Sequence, residues 1–373
     1  MPQIVLGLDI GSSHIKAVSV DRSTTPNKLL RYAMVPSGDL GEKLLSGTDH
    51  DVDSASDTIR NFLHESGFPP TEQVVAVLPE NRVFSKIISM PMLQGKEFDE
   101  AIKWEAEQHI PSPLSDVYLK YTLLKEDENK KSKAQDILDA VRGKSAENET
   151  EEFGTMDVLL VAAPKNMVDR YMKIFEKAGL KTLGLEPISI SIIRSTLTID
   201  SPLPTIIVNL GQTAIDFYFS LENNLRFVNT TNFGISSIVK TISKELDVNS
   251  IQAGEYLFTY GFKENVLGGK IKEIILPVFS LIIDELNKTQ KYVESRAQYF
   301  SDNSYGGIKR IVLTGGGALI PDLMLYLVGE VKPEVQYANP WKSVDISGIS
   351  QQGQVQLQEL GPLFAAAVGA AIK

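Results

Sequence analysis

The chain has 373 residues, 43% hydrophobic and 23% charged, which excludes a wholly disordered chain and predicts two or three packed units. Lys+Arg total 37 against 47 Asp+Glu, a net charge of −10 with no basic run to track phosphates, so nucleic acid is excluded as a partner. The chain has no cysteine, no secretion-type leader and no apolar run longer than the thirteen residues of 360–372, short of the ~20 needed to span a bilayer; a cytoplasmic protein is expected.

Residues 4–20, IVLGLDIGSSHIKAVSV, read as an apolar strand, a small polar turn and an alternating strand. Gly11 permits a sharp turn and removes a side chain that would block a ligand. Successive turn N–H groups, with the Ser12 and Ser13 hydroxyls, can cradle an anion such as phosphate. Asp9 at the strand end is placed to hold Mg²⁺ through its water shell, because that ion dehydrates reluctantly. Lys16 adds positive charge to the same phosphates. An ordinary hairpin looks the same, so one copy decides nothing.

Residues 54–67 predict a surface helix stopped at Gly67, and residues 74–78 a strand. Residues 95–109 carry Phe98, Ala101, Ile102 and Ala106 at helical spacing, ended by Pro111 and Pro113. That spacing puts His109 on the apolar face as a core histidine and Trp104 opposite, where it either packs against a neighbouring domain or belongs to a binding surface. In 125–152, fifteen of 28 residues are charged and none is aromatic, which predicts a disordered loop. A buried strand follows at 158–164. Then comes a helix capped by Asn166, with a stripe of Val168, Tyr171, Met172 and Phe175, stopped at Gly179. In LGLEPISISIIRS (183–195), Glu186 falls where a strand becomes a helix, with Pro187 in the first turn. Glu186 there either caps the helix or orients a water.

The opening pattern returns at 205–221 as TIIVNLGQTAIDFYFSL. An offset of 200 lays Asn209 on Asp9, Gly211 on Gly11, Gln212 and Thr213 on Ser12 and Ser13, and Asp216 on Lys16. Two copies, each opening half of the chain, predict two similar α/β lobes around a cleft rather than a solenoid. They also favour the phosphate reading of the turns. Helices are predicted over about 235–263 and from Pro277 to Phe300. IKRIVLTGGGALIPDL (308–323) reads as a strand, three glycines and a helix opening near Pro321. Gly315, Gly316 and Gly317 let backbone lie flat against a ligand, although this is neither a Walker loop nor a full dinucleotide fingerprint. LFAAAVGAAIK closes the chain as a helix of small residues suited to close packing.

The two hairpins, the GGGALIP turn and the Glu186–Pro187 junction resemble the phosphate-1, phosphate-2, adenosine and connecting motifs of the actin-like ATPase superfamily. SKIISMPMLQGKEFDEAIKWEAEQHIPSPLSDVYLKYTLL (85–124) and VLLVAAPKNMVDRYMKIFEKAGLKTLGLEP (158–187) are similar to the extra subdomain of the PilM family of type IV pilus assembly proteins, relatives of the division protein FtsA. The resemblance implies an α/β fold, a two-lobed, duplicated ribonuclease H-like ATPase fold with an inserted subdomain. It assigns 1–84 and 181–204 to the first lobe, 85–180 to the insert, 205–234 and 305–361 to the second lobe, 235–304 to its cap and 362–373 to a C-terminal helix.

As ligands it implies ATP and Mg²⁺. Asp9, Gly11, Ser12, Ser13 and Lys16 would meet the phosphates and the ion, and Asn209, Gly211, Gln212 and Thr213 would embrace them from the other lobe. Gly234, Gly315, Gly316, Gly317 and Ala318 would line the nucleoside, Glu255 would serve the ribose, and Glu186 would position water. As partner it implies the cytoplasmic N-terminal tail of a PilN-like inner-membrane protein, gripped between the first lobe and the insert and linked onward to the motor ATPases. That would recruit the protein to the cytoplasmic face of the inner membrane.

Two departures from the pattern matter. Asn209 stands where Asp is usual, and Leu257 or Phe258 in QAGEYLF (252–258) replaces a customary lysine. One unit charge lost near Mg²⁺ shifts energies by a few kcal/mol at an effective dielectric of ~20. Since ~1.4 kcal/mol in a barrier is tenfold in rate, at most slow ATP turnover is expected. The alternatives are an FtsA-like filament-forming division protein, a sugar-kinase-like phosphotransferase and a cytoplasmic domain of type II secretion. The first would end in a detached amphipathic helix, and the second needs a carboxylate base in a polar pocket that the sequence does not offer. The third normally continues into a membrane helix.

Overall fold

The computed structural model describes residues 3–45, 48–69, 73–91, 93, 95–124, 155–197, 203–296 and 306–373; the charged segment 125–152 lies outside them. Strands β1 (Ile4–Ile10), β2 (His14–Asp21) and β3 (Lys28–Pro36) form an antiparallel meander. Helices α1 (Leu40–Leu45) and α2 (Asp49–Glu65) lead to β4 (Gln73–Leu78), parallel to β1. The chain then leaves this sheet and returns as β8 (Lys181–Pro187), parallel to β4, giving the order β3-β2-β1-β4-β8. The second half repeats the plan. β9 (Thr205–Leu210), β10 (Ile215–Leu221) and β11 (Asn224–Thr230) are the meander, and β12 (Arg310–Thr314) and β13 (Glu334–Tyr337) add in parallel, in the order β11-β10-β9-β12-β13. The duplication at offset 200 is therefore a duplication of fold.

Between β4 and β8 the insert builds its own antiparallel sheet in the order β5-β7-β6, from β5 (Phe84–Pro91), β6 (Val117–Leu123) and β7 (Thr155–Pro164), with α3 (Gly95–His109) on one face. Ile88, Met90, Val158 and Leu160 meet Phe98, Ile102 and Ala106 there. The next helix, α4 (Lys165–Lys177), packs instead into the first lobe, with Tyr171 and Phe175 against Leu6, Leu8, Ile59 and Phe62. In the second lobe, α6 (Ile235–Leu246), α7 (Ser250–Tyr260) and α8 (Lys270–Ser295) cover the sheet, and α9 (Leu323–Glu330) precedes β13. Ile206, Val208, Phe217 and Phe219 form one core with Ile238, Ile242, Phe279 and Leu286.

The lobes are joined by α5 (Ile188–Thr196) and α10 (Gln351–Ala371). Val75, Val77 and Ile192 meet Ile207, Tyr218, Val312, Ala365 and Ala366 between them. The small residues of α10 are what permit this crossing. A Cβ on Gly369 would lie 1.8 Å from the Ser191 carbonyl oxygen, and one on Gly7 2.0 Å from that of Ala367. A domain boundary at 361/362 falls inside α10, which runs unbroken through Pro362.

Several local expectations are corrected. Helix α2 begins at Asp49 because Thr48 caps it, its side chain accepting the Asp51 N–H. Helix α4 begins at Lys165 after Pro164, so Asn166 caps nothing, and its buried stripe is Met167, Tyr171, Ile174 and Phe175, with Met172 outside. Helix α8 starts at Lys270 with Pro277 in its interior. His109 is not a core histidine: its ring bridges Lys86 (3.0 Å) and Glu105 (3.3 Å) at the rim of α3. Trp104 is 60% exposed and packs against no neighbouring domain among the described residues.

Candidate functional site

Asp9 and Lys16 stand directly opposite each other on β1 and β2. Lys16 Nζ lies 2.7 Å from Asp9 Oδ2, with the side chains 12% and 8% exposed, a desolvated cross-strand ion pair. The turn between them is pinned at both ends. The Gly11 N–H donates to the His14 carbonyl (3.0 Å), the Ser37 hydroxyl donates to that of Gly11 (2.6 Å), and the Ser37 N–H donates to that of Ser13 (2.9 Å). Ser12 and Ser13 are left exposed at its tip. A Cβ on Gly11 would lie 3.1 Å from the His14 carbonyl oxygen and 3.4 Å from Lys16 Nζ, so the turn backbone and the ammonium both close on this glycine. Burial, with Lys16 adding to it, holds His14 below the ordinary imidazole value.

The second turn repeats this geometry with the charge moved. Asn209 and Asp216 are again direct cross-strand partners, Nδ2 to Oδ2 at 2.9 Å. Asp216 also accepts the Tyr218 hydroxyl (3.0 Å) and the Thr230 hydroxyl (2.9 Å). Burial raises Asp216 above the usual carboxylate value against these three donors. The unit charge expected to be lost at Asn209 is therefore present one strand over. The offset of 200 places Asp216 on Lys16, and that exchange of sign was the available signal.

Around Asn209 the structure gathers most of the second-lobe residues singled out from sequence. The Gly211 and Gln212 carbonyls accept the Ile235 and Ser236 N–H groups (3.0 and 2.9 Å), so the turn itself caps α6. Gly234 is needed for that closeness: its Cβ would lie 2.6 Å from the Gln212 carbonyl oxygen. Gly315, at φ +82°, leans on Asn209, where a Cβ would lie 2.7 Å from Oδ1, and Gly317 sits against Ile235. The Ala318 N–H closes the loop onto the Gly315 carbonyl (3.2 Å), whereas the nearest neighbour of a Cβ on Gly316 is Leu363 at 3.8 Å. Gln212 and Thr213 are exposed at the tip, as Ser12 and Ser13 are in the first lobe. Helix α7 joins this assembly at its end, where the Phe262 N–H donates to the Pro321 carbonyl (3.0 Å). Leu257 is buried in the core, so Phe258 is the residue exposed beside Glu255 in place of the lysine.

Glu186 is engaged elsewhere. It accepts Arg194 Nη1 and Nη2 (2.6 and 3.0 Å), Lys373 Nζ (3.1 Å) and the Ser191 hydroxyl, while Arg194 also donates to the Gly369 carbonyl (2.7 Å). Burial works to raise Glu186, but Arg194 and Lys373 outweigh it and hold it below the usual carboxylate range. No group of three His, Asp or Glu side chains able to hold a metal occurs among the described residues. The Lys16 ammonium at the base of the turn, with the exposed Ser12 and Ser13 hydroxyls at its tip, is the kind of donor set that suits a phosphate chain.

A family model described as Type IV pilus assembly protein PilM matches residues 7–153 and 144–373. Among solved structures, the PilM-PilN type IV pilus biogenesis complex is 23% identical, with 99% of this chain and 97% of that chain covered and a TM-score of 0.78. The ethanolamine utilization protein EutJ from Carboxydothermus hydrogenoformans is 11% identical, covering 100% and 90%, with a TM-score of 0.56. MreB5 of Spiroplasma citri bound to ADP is 12% identical, covering 99% and 95%, with a TM-score of 0.51. The fold is thus the two-lobed actin-like one. No helix among the described residues is long and apolar enough to cross a membrane. With the family model running through both lobes and the insert, the chain belongs to the PilM family of type IV pilus assembly proteins.

Proposed function

We propose that the protein is a nucleotide-binding adaptor of type IV pilus assembly that grips the N-terminal tail of a PilN-like inner-membrane protein and connects it to the motor ATPases on the cytoplasmic side. The duplicated turns, each with a polar pair at its base and two exposed polar side chains at its tip, carry the nucleotide half of this reading. Lys16 and the Ser12 and Ser13 hydroxyls would hold the phosphates from the first lobe, and Gln212 and Thr213 from the second. Asp9 would keep Mg²⁺ in place through water, and the ion, when bound, would neutralise phosphate charge. Glu255 and Phe258 would face the ribose and base. Turnover would be slow at most, because Asp9 is paired with Lys16, Glu186 with Arg194, and Asp216 is occupied by three donors. Glu186 would position a water only after leaving Arg194.

For the tail, the reading rests on family membership and on an open groove lined by Met172, Glu176, Leu180, Lys181 and Thr182, where α4 meets β8. Strand β8 is an edge strand among the described residues. An extended peptide can add its backbone to such an edge and seat apolar side chains on Met172 and Leu180. Calorimetric titration with the tail peptide of the PilN-like protein tests this. One-to-one binding that Met172→Glu abolishes is expected, and absence of binding overturns the adaptor reading. Separately, Mg²⁺-ATP should raise the melting temperature by mass action, and Asp9→Ala should remove that rise.

A further inference from the structure

The second lobe closes its sheet as the first does. Helix α4 leads through 178–180 into β8, and α9 leads through 331–333 into β13, each strand parallel to its neighbour at an edge of its sheet. Counted from the helix ends, an offset of 153 lays Leu325 on Met172, Gly329 on Glu176 and Glu334 on Lys181, the counterparts of residues that line the first-lobe groove. The duplicated fold thus repeats the arrangement of helix and free strand edge.

Helix α9 reads LMLYLVGE, with Glu330 its single charge, and a helix apolar on every side is normally a buried one. Leu323 and Leu327 lie in the second-lobe core and Tyr326 stacks on Phe262 at 4.4 Å, yet Leu325 is 73% and Val328 56% exposed. A Cβ on Gly329 would meet nothing within 4 Å, so the space beside them is open. Tyr337 of β13 is exposed too, and its hydroxyl accepts the Met324 N–H, which sets the strand edge against this helix. The Glu334 and Ala338 N–H groups donate inward to the Lys309 and Leu313 carbonyls, and alternation turns the backbone groups of Val335 and Tyr337 to the free edge.

Charge distinguishes the two edges. Residues 176–181 read EKAGLK, net +1, whereas 329–334 read GEVKPE, net −1, with Lys332 offsetting one of the two carboxylates. We propose that the α9–β13 edge is a second docking groove, for an extended segment of a partner protein that carries apolar side chains and net positive charge. Its backbone pairs with Val335 and Tyr337, its apolar side chains lie on Leu325 and Val328, and its cations stand beside Glu330 and Glu334. The inference rests on the duplicated fold and this exposed face, not on what the first groove holds.

The probes are two eight-residue synthetic strands, one alternating valine with lysine and the other valine with glutamate, added to the full chain without nucleotide. Backbone amide exchange is followed residue by residue. The lysine strand should slow exchange at Val335 and Tyr337 and bind roughly tenfold more tightly than the glutamate strand at low salt. Leu325→Ser should weaken that binding, and Glu330→Lys with Glu334→Lys should reverse the preference; all three positions are exposed, so the variants leave the core intact. No slowing at Val335 and Tyr337, equal slowing by both strands, or equal slowing along the β3 and β8 edges overturns the proposal. So does self-association of the parent chain that Leu325→Ser abolishes, since the face would then belong to a second copy. Titration with the tail peptide is a separate readout, so failure of either reading is seen without the other.

Discussion

Glu186 shows how burial and pairing compete at one residue. Desolvation pushes its proton affinity up, while Arg194 on the next helix and Lys373 at the chain end pull it down, and the cations prevail. Its folded value is thus depressed. The stability it contributes is present above the ordinary carboxylate range near 4.5 and is lost as pH falls through that range toward the folded value. Urea unfolding between pH 6 and pH 3 should show a falling midpoint that flattens in Glu186→Gln. An unchanged slope in that variant would mean that the pair is energetically idle. The polar residues differ in how readily the sequence shows them. Asp9 and Lys16 are visible because strand, turn and strand put them face to face by local geometry. Asp216 hides behind the exchange of a lysine for a carboxylate. Glu80 cannot be seen at all, since its burial arises where the end of β4 meets α5, with Ser189 109 positions away in the chain.

At the scale of elements, periodicity and punctuation locate strands and most helices, and they fail where an end depends on context. Strand β8 and helix α5 follow from the Glu186–Pro187 junction, because proline suits a helix entry. Helix α8 runs through Pro277 because its apolar side is already bound to the second-lobe core, with Ile271, Ile275 and Phe279 buried. Helix α10 was legible only in its small-residue half. That half governs how the lobes are joined, because Gly369 lets α10 touch the backbone of α5. Gly369→Ala would place a Cβ 1.8 Å from the Ser191 carbonyl oxygen, and backbone on both sides leaves no rotamer to relieve it. The variant should lose about 3 kcal/mol or more, read as a drop in urea midpoint. Gly254→Ala on α7 is the matched control. Its Cβ meets nothing within 4 Å, so helix propensity alone should raise stability by about 0.5–1 kcal/mol.

For the whole molecule, the insert belongs to the first lobe by chain order and touches the second by packing. Strand β5 lies beside β11, and Leu124 and Leu159 share a core with Leu225 and Tyr218. The contact is fixed by one buried ion pair. Arg226 Nη1 lies 2.8 Å from Asp157 Oδ2, with the Arg226 side chain 3% exposed, and Ser89 holds the other carboxylate oxygen at 2.5 Å. Neither residue stands out in the sequence, because each is an ordinary charge until the two strands meet. A rotation of one lobe against the other must either carry the insert along or break this pair, and breaking a buried pair costs about 3–5 kcal/mol. The proposed tail groove lies between β8 and α4, which packs into the first lobe but follows directly on β7 of the insert, so strain at the insert's contact with the second lobe reaches the groove through β7. Mg²⁺-ATP should therefore change the affinity for the tail peptide in the parent chain. In a variant carrying Arg226→Met and Asp157→Asn together, which leaves no unpaired buried charge, the nucleotide effect should shrink toward none while the nucleotide-free affinity is kept. Calorimetric titrations of both chains with and without Mg²⁺-ATP measure that difference. An equal nucleotide effect in the two would show that the lobes and the groove communicate by another route.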